Sequence, residues 1–450
     1  MRTPLFQPRP VGVHPRRGGR PPRRRVRAAV ALLVGAVLAA VSGCAGQAAR
    51  AGAAPPGPAA VLQVPGAYPS IQAAVDAARP GDLVLVHPGV YRESVTIRTA
   101  RVVLRGTDRS GVVVDGEFRR ANGITVTGAQ SVVENLTVRH HLANGVLFTG
   151  VTDQRLQQHG AGGSAYNPLD TVRFPPLNGF RASKVTAYGN ALYGIYAFDA
   201  HAGVIEDSYA SGQADSGIYV GQCRPCQTLV RGNEVAHNAV GIEVTNASED
   251  LYLLGNRAVA NRVGVTVDSN DVEALSPQHG AVLAGNVIAE DNDPDSPEQA
   301  DGAFGIGIGI GGGTGNLVTR NLISGNTAAG VLVTDVQGHP ARDNRITGNT
   351  VTGNGVDQVL DAPAGSGNCF GTAPDCAQVP DRAAPVTAPP GVSFRDLPAP
   401  PDQPGLADTG APAGPAVDLP GPVDPSAYPL PTASGQGAGQ ATAQGGRSAG

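Results

Sequence analysis

Half of the ten tyrosines in this 450-residue chain, Tyr188, Tyr193, Tyr196, Tyr209 and Tyr219, fall within 32 residues, with Phe180 and Phe198 close by. Flat rings on an outer surface are what a sugar-binding groove uses, through apolar C–H contact and phenol hydrogen bonds. The same rings can instead line the outside of a sheet beneath a neighbouring loop, with no ligand at all. Asp199 and His201 stand inside the patch, and Arg181 and Arg224 flank it. Carboxylate, imidazole and phenol are the groups that general acid–base chemistry employs, so this stretch is where catalysis or ligand contact is expected, with turn-forming residues as the plainer alternative.

Three other clusters offer chemistry. Cys223-Arg-Pro-Cys226 fits a disulfide, a redox pair or half a metal site, but a redox role calls for a βαβ setting and zinc for two more ligands. A disulfide is therefore expected there, and a second between Cys369 and Cys376, which would pin the end of the domain; the fifth cysteine is Cys44. Residues 290–295 hold four acids in six, a solvated loop or a weak Ca²⁺ site; Ser296 stands where an EF-hand needs glycine, so no cofactor is expected and calcium is the alternative. Residues 305–315 are glycine-rich but lack the lysine and helix of a phosphate loop.

The elements that must carry these groups follow from a repeat of about 23 residues. Units open with glycine, a β-branched residue, any residue and an apolar one, at Gly123, Gly145, Gly194, Gly217, Gly241, Gly264, Gly307 and Gly330. Two spacings, 49 and 43, read as turns carrying insertions, at residues 151–176 and 272–302. A fixed period of this length means a solenoid, and short β-type runs in place of helical stretches select a parallel β-helix of about nine or ten turns. Second apolar runs recur in each unit, as at Val204-Ile205, Leu229-Val230 and Leu253-Leu254. Strand alternation then places Ile195, Ile218, Ile242 and Val265 in one inward stack and Tyr196, Tyr219, Glu243 and Thr266 in the neighbouring outward column. Asn233 with Asn256, and Asn238 with Asn261, recur in phase as expected for amide ladders at bends, where asparagine tolerates left-handed backbone. Residues 69–79 carry apolar residues at helical spacing behind Ser70, a short capping helix for the open end of the coil.

Residues 1–43 hold nine arginines and no acid, then an apolar run from 26 to 41 and small residues before Cys44, the pattern of a secretory signal. The run is short for a membrane span, which needs roughly 20 residues. Without it the chain has 24 basic and 37 acidic residues, about −13, which disfavours nucleic acid and anionic lipid as partners. Residues 44–60 read as a flexible tether, 61–376 as the folded domain and 377–450, rich in Pro, Ala and Gly, as a disordered tail. A monomer is expected.

The leader resembles a bacterial lipoprotein signal whose lipobox ends at Cys44, which implies lipid anchoring at that residue outside the cytoplasm. The segment SIQAAVDAARPGDLVLVHPGVYRESVTI and the repeats after it resemble the right-handed parallel β-helix superfamily with the pectate-lyase fold, which includes polysaccharide lyases, mannuronan C5-epimerases and periplasmic copper-binding proteins. Residues 193–226 are similar to secreted bacterial β-helix repeat proteins. Phe198-Asp199-Ala200-His201 resembles the Phe-Asp-Pro-His signature of the epimerases, with Ala200 in place of proline. The resemblance implies His201 as base, Asp199 as carboxylate partner, Tyr196 or Tyr219 as second acid or base, and Arg181 or Arg224 as cation. The expected function is binding of an extracellular polysaccharide through Tyr193, Tyr196, Tyr219 and Arg224. A lyase or epimerase acting on a uronate polymer is the enzyme alternative. A passive scaffold or metal-delivery accessory is the third, although nine histidines and one methionine give copper few ligands.

Overall fold

The computed structural model describes residues 59–157, 171–298, 302–372, 375–417 and 423–432. The export segment, Cys44 and nearly all of the tether lie outside the described residues.

The repeats wind into a parallel β-helix. One wall is a ten-stranded sheet running from the strand Val95–Ile97 to Gln358–Leu360, one strand per turn. The other two walls join in a 21-stranded sheet. The inward stack is as expected: Ile195 pairs with Ile218, Ile218 with Ile242 and Ile242 with Val265, all buried in a core that runs the length of the coil.

The repeat's glycines are set by the pitch. A Cβ on Gly194 would lie 2.5 Å from the carbonyl oxygen of Gly217, and one on Gly241 would lie 2.5 Å from that of Gly264. Successive turns approach too closely at this column for any side chain, so the signature glycine is steric in origin.

Beside that column run the amide ladders. Asn233 donates from its backbone and side chain to Asn256 Oδ1, Asn256 does the same to Asn286, and Asn286 to Asn321. The second ladder passes from Asn190 through Gln213, Asn238 and Asn261 to Asp291. The left-handed residue is the one before each amide, not the amide itself: Gly232, His237, Gly255 and Ala260 have φ of 61°, 57°, 63° and 54°. That residue turns the chain, and the asparagine after it is left free to reach the next turn. Asp291 takes an asparagine's place with its side chain buried, so the acidic stretch 290–295 is partly ladder and not simply a solvated loop.

The cap is the helix Ile71–Ala77. Ser70 accepts from Ala73 N at 3.1 Å, Glu93 accepts from the amides of Ile71 and Gln72, and Ile71, Ala74 and Val75 close over the first turn. The insertion expected at 272–302 is divided in two, because the strands Ala281–Ala284 and Val287–Ala289 lie inside it and pair with their neighbours. The extra residues form one loop before the first strand and another after the second.

The tail departs most from expectation. Residues 377–417 and 423–432 lie along the outside of the coil instead of being disordered. Arg105 donates to the carbonyls of Thr409 and Ala411, Arg109 to Pro404, Arg181 to Pro415, Arg262 to Pro389 and Arg320 to Tyr428. Val423 and Tyr428 cover Leu229, Tyr252, Leu254 and Ala284 on the outer surface of the 21-stranded sheet. Proline-rich chain has few backbone donors but keeps every carbonyl, and arginines on the coil satisfy them.

Candidate functional site

Tyr196, Tyr219, Glu243 and Thr266 stand in register on four successive strands of the ten-stranded sheet, pointing out of the coil. The rings are not an open platform. Tyr193, Tyr196 and Tyr219 are 7%, 3% and 2% exposed, packed with Leu147, Val151, Phe174 and Phe198. Ring centroids lie 4.4 Å apart for Tyr193–Tyr196, 4.7 Å for Tyr193–Tyr219 and 4.9 Å for Tyr196–Tyr219. Val151 and Phe174 come from the 151–176 insertion, and on the other side the loop after the strand Val263–Asp268 brings Glu273 onto Tyr219, whose hydroxyl donates to Glu273 Oε1.

Around the tyrosines gathers a set of acids that the sequence does not flag as a group. Asp215 and Glu243 are half-buried and share Ser216, whose hydroxyl meets Asp215 Oδ1 at 3.2 Å and also reaches Glu243 Oε2. Burial pushes the Asp215 carboxyl up, against hydrogen bonds with Ser216, Glu243 and Tyr193. Burial also raises Glu243 well above the ordinary carboxylate range, and the charges of Asp215, Asp268 and Glu273 add to it. Glu273, 6% exposed, is pushed up to about 8 by burial. Tyr219 is raised by burial and then by the charges of Glu273 and Glu243. The dominant charges acting on the column are negative, so the cluster retains protons near neutral pH.

Two polar atoms here lack any partner. Glu273 Oε2 and Thr266 Oγ1 are buried without a hydrogen bond, and Thr266 sits directly beside Glu243 in the column. Buried polar atoms are paired as a rule, so two unpaired ones beside these acids make the cluster the candidate site.

The residues singled out in the sequence are only partly assembled here. Tyr193, Tyr196 and Tyr219 come together. Asp199, at the bend after the strand Ile195–Phe198, is fully buried, with neither oxygen hydrogen-bonded, and burial raises its carboxyl to about 7. His201 stands on the strand Ala200–Glu206 of the other sheet, half-buried, with no bond to Asp199. Burial lowers its pKa, which keeps the ring neutral. Arg224 Nη2 donates to the carbonyls of Leu275 and Pro277, and Arg181 is held by Glu206 in the other sheet. Arg173 stacks on Phe174 and faces Asp153. Cys223–Cys226 and Cys369–Cys376 are both disulfides. Among the described residues no group of three or more His, Cys, Asp or Glu side chains is placed to hold a metal ion.

A family model matches part of the coil. Residues 122–278 match the right-handed beta helix region. The curated proteins contain no match. Among solved structures, the A-module of mannuronan C-5 epimerase AlgE4 of Azotobacter vinelandii is 13% identical, with 72% of this chain and 94% of that one covered and a TM-score of 0.41. Pectate lyase Pel9A is 15% identical over 73% and 88%, TM-score 0.38. Tailspike protein 2 of the Escherichia coli O157:H7 bacteriophage CAB120 is 12% identical over 66% and 43%, TM-score 0.46. Such identities transfer no residue's role. With parallel strands in register through ten turns and the matched segment at its centre, the chain folds as a right-handed parallel β-helix.

Proposed function

We propose that this protein binds an extracellular polysaccharide at the acidic cluster on the outer face of its ten-stranded sheet, beside the loop that carries Glu273. The observation that supports this most is the pair of unpartnered buried oxygens, Glu273 Oε2 and Thr266 Oγ1, beside the half-buried Asp215 and Glu243. Hydroxyl-rich chains satisfy such atoms by hydrogen bonds, and the buried tyrosines form a stiff wall behind them. Two disulfides suit an oxidising compartment outside the cytoplasm, and lipid attachment at Cys44 would hold the protein at the membrane. In this reading Tyr193, Tyr196 and Tyr219 act as the wall and Arg224 fixes the loop.

A catalytic reading draws on the Asp215–Glu243 pair. Two carboxyls that share a proton supply one acid and one base, the minimum for acid–base work on a glycan. The lyase or epimerase alternative, built on His201, Asp199 and Tyr196 or Tyr219, would need a cation facing the column, and Arg181 and Arg224 both have partners elsewhere.

Affinity electrophoresis of the exported chain through gels holding neutral, acidic and basic polysaccharides tests the binding reading. Retardation by at least one polymer, lost in Glu243→Ala with the fold intact, is the expected result. Equal mobility in every gel overturns it. Chromatography of the same mixtures for shortened or unsaturated products decides catalysis, with Asp215→Asn as the control for the proton-sharing pair.

A further inference from the structure

We propose that this acidic face takes a polysaccharide bearing protonated amino groups, such as a de-N-acetylated hexosamine polymer, whose ammonium seats among Asp215, Glu243 and Glu273. This rests on the glycan-binding reading and names its substrate class.

What this face lacks, among the described residues, is a positive charge. Asp215, Glu243 and Glu273 come from three turns of the coil and meet around Tyr219, with Asp268 one strand further on. Tyr193 bonds Asp215, and Tyr196 lies against Tyr219, so the phenols add donors but no positive charge. On the outer face of the 21-stranded sheet Glu134 has Arg105 and Glu206 has Arg181 and Arg231, although Asp199 and Asp291 are buried elsewhere without an arginine. Here none is supplied among the described residues. Glu273 keeps one oxygen without a partner, and Thr266, 2% exposed and adjacent to Glu243, has a hydroxyl without one. An ammonium brings three donors and a positive charge, which matches a set of carboxyls that has hydroxyl donors but no cation among the described residues.

A uronate fits poorly, because its carboxylate would enter a field that is already negative. A neutral sugar satisfies the hydroxyl but leaves the carboxyls holding their protons. An ammonium displaces those protons: burial holds Glu273 near 8 and Asp215 and Glu243 above the usual carboxylate range, and a bound cation brings all three down. Binding should therefore release protons near neutral pH and weaken as acid reprotonates the cluster. A divalent metal ion is the competing occupant, and the described residues offer it no group of three ligands.

The test is isothermal titration of the exported full chain with β-1,4-linked glucosamine oligomers, the same oligomers N-acetylated, and polygalacturonate, each in two buffers of different ionisation enthalpy. Glucosamine oligomers should bind at least about tenfold tighter than the other two, with proton release read from the difference between buffers. Glu273→Gln and Asp215→Asn, both near-isosteric, should each lose about tenfold for the amino form and clearly less for the N-acetylated form, with melting temperatures confirming the fold. Equal or tighter binding of N-acetylated oligomers or polygalacturonate overturns the ammonium assignment while the glycan reading stands. Binding of no polysaccharide overturns both. Stoichiometric Ca²⁺ or Mg²⁺ binding that Glu273→Gln abolishes, with glucosamine oligomers inert, overturns the assignment in favour of a metal site.

Discussion

On the outer face of the 21-stranded sheet, Glu134 meets Arg105 and Glu206 meets Arg181 and Arg231; on the outer face of the ten-stranded sheet, Asp215, Glu243 and Glu273 meet hydroxyls, phenols and one another. Both faces are covered, the first by the tail and the second by inserted loops, so burial alone does not separate them. Charge does. Where each buried carboxylate has its cation, the arrangement is complete and its consequence is cohesion. Where carboxyls crowd together without one, folding is opposed locally, and such residues are kept for what they do to a ligand.

Glu206→Ala should produce the largest effect. It takes the carboxylate away from two guanidinium groups, one of them almost fully buried, and removing one partner of a buried ion pair costs about 3–5 kcal/mol. Thermal unfolding of the variant measures this, and Arg181→Met combined with Glu206→Leu should recover most of the loss. A small loss for Glu206→Ala alone would show that the arginine-paired face is held by the coil and not by its charges.

Ending the chain after Pro385 should come next. It removes the carbonyl partners of Arg105, Arg109, Arg181, Arg262 and Arg320 and uncovers Leu229, Tyr252 and Leu254. Loss of the partly buried Val423 and Tyr428 should cost about 2–4 kcal/mol, with a gain in dye binding to exposed apolar surface. An unchanged melting temperature would mean that the tail adds nothing to the face it covers.

On the carboxyl-rich face the sign reverses. Glu273 titrates near 8 in the folded protein and near the ordinary 4.5 when unfolded, so the folded state binds the extra proton between those values. The stabilisation from that proton is complete below about pH 4.5 and is lost as pH rises through about 8. Glu273→Gln should melt higher than the parent at pH 8.5 and show little difference near pH 4; a lower melting temperature at alkaline pH would mean that the carboxylate has an opposing charge after all.

Tyr219→Phe should do least, removing one hydroxyl bond to Glu273 at a cost of about 1 kcal/mol or less and leaving the ring packing in place. Near-ultraviolet circular dichroism should be almost unchanged. A collapse of that signal would show that the phenol, and not the ring, organises the column.

The coil was legible in the sequence because its determinants are periodic. Close approach at one column demands glycine every turn, the ladder demands an amide at a fixed phase, and the core demands a β-branched stack; each repeats until it stands out. The acidic cluster was not legible because its members occupy different phases of the repeat. Glu243 could be seen in the column of Tyr219, but Asp215 arrives from a bend and Glu273 from an inserted loop. The tail was misread for a related reason. Its composition lacks an apolar pattern, yet it is held largely through backbone carbonyls, which every residue possesses and no composition reveals. Asp291 was hidden among other acids until its place in the ladder set it apart.

The tail also constrains how this protein can change length. It bonds near the cap at Arg105 and near the far end at Arg320. A solenoid by itself tolerates the gain or loss of a turn, since each turn needs only its neighbours. A strip attached at both ends works as a measuring tape: deleting one turn would slacken it and adding one would pull its carbonyls out of register with the arginines. The number of turns and the length of the tail are thereby tied, and a lineage that alters one must alter the other.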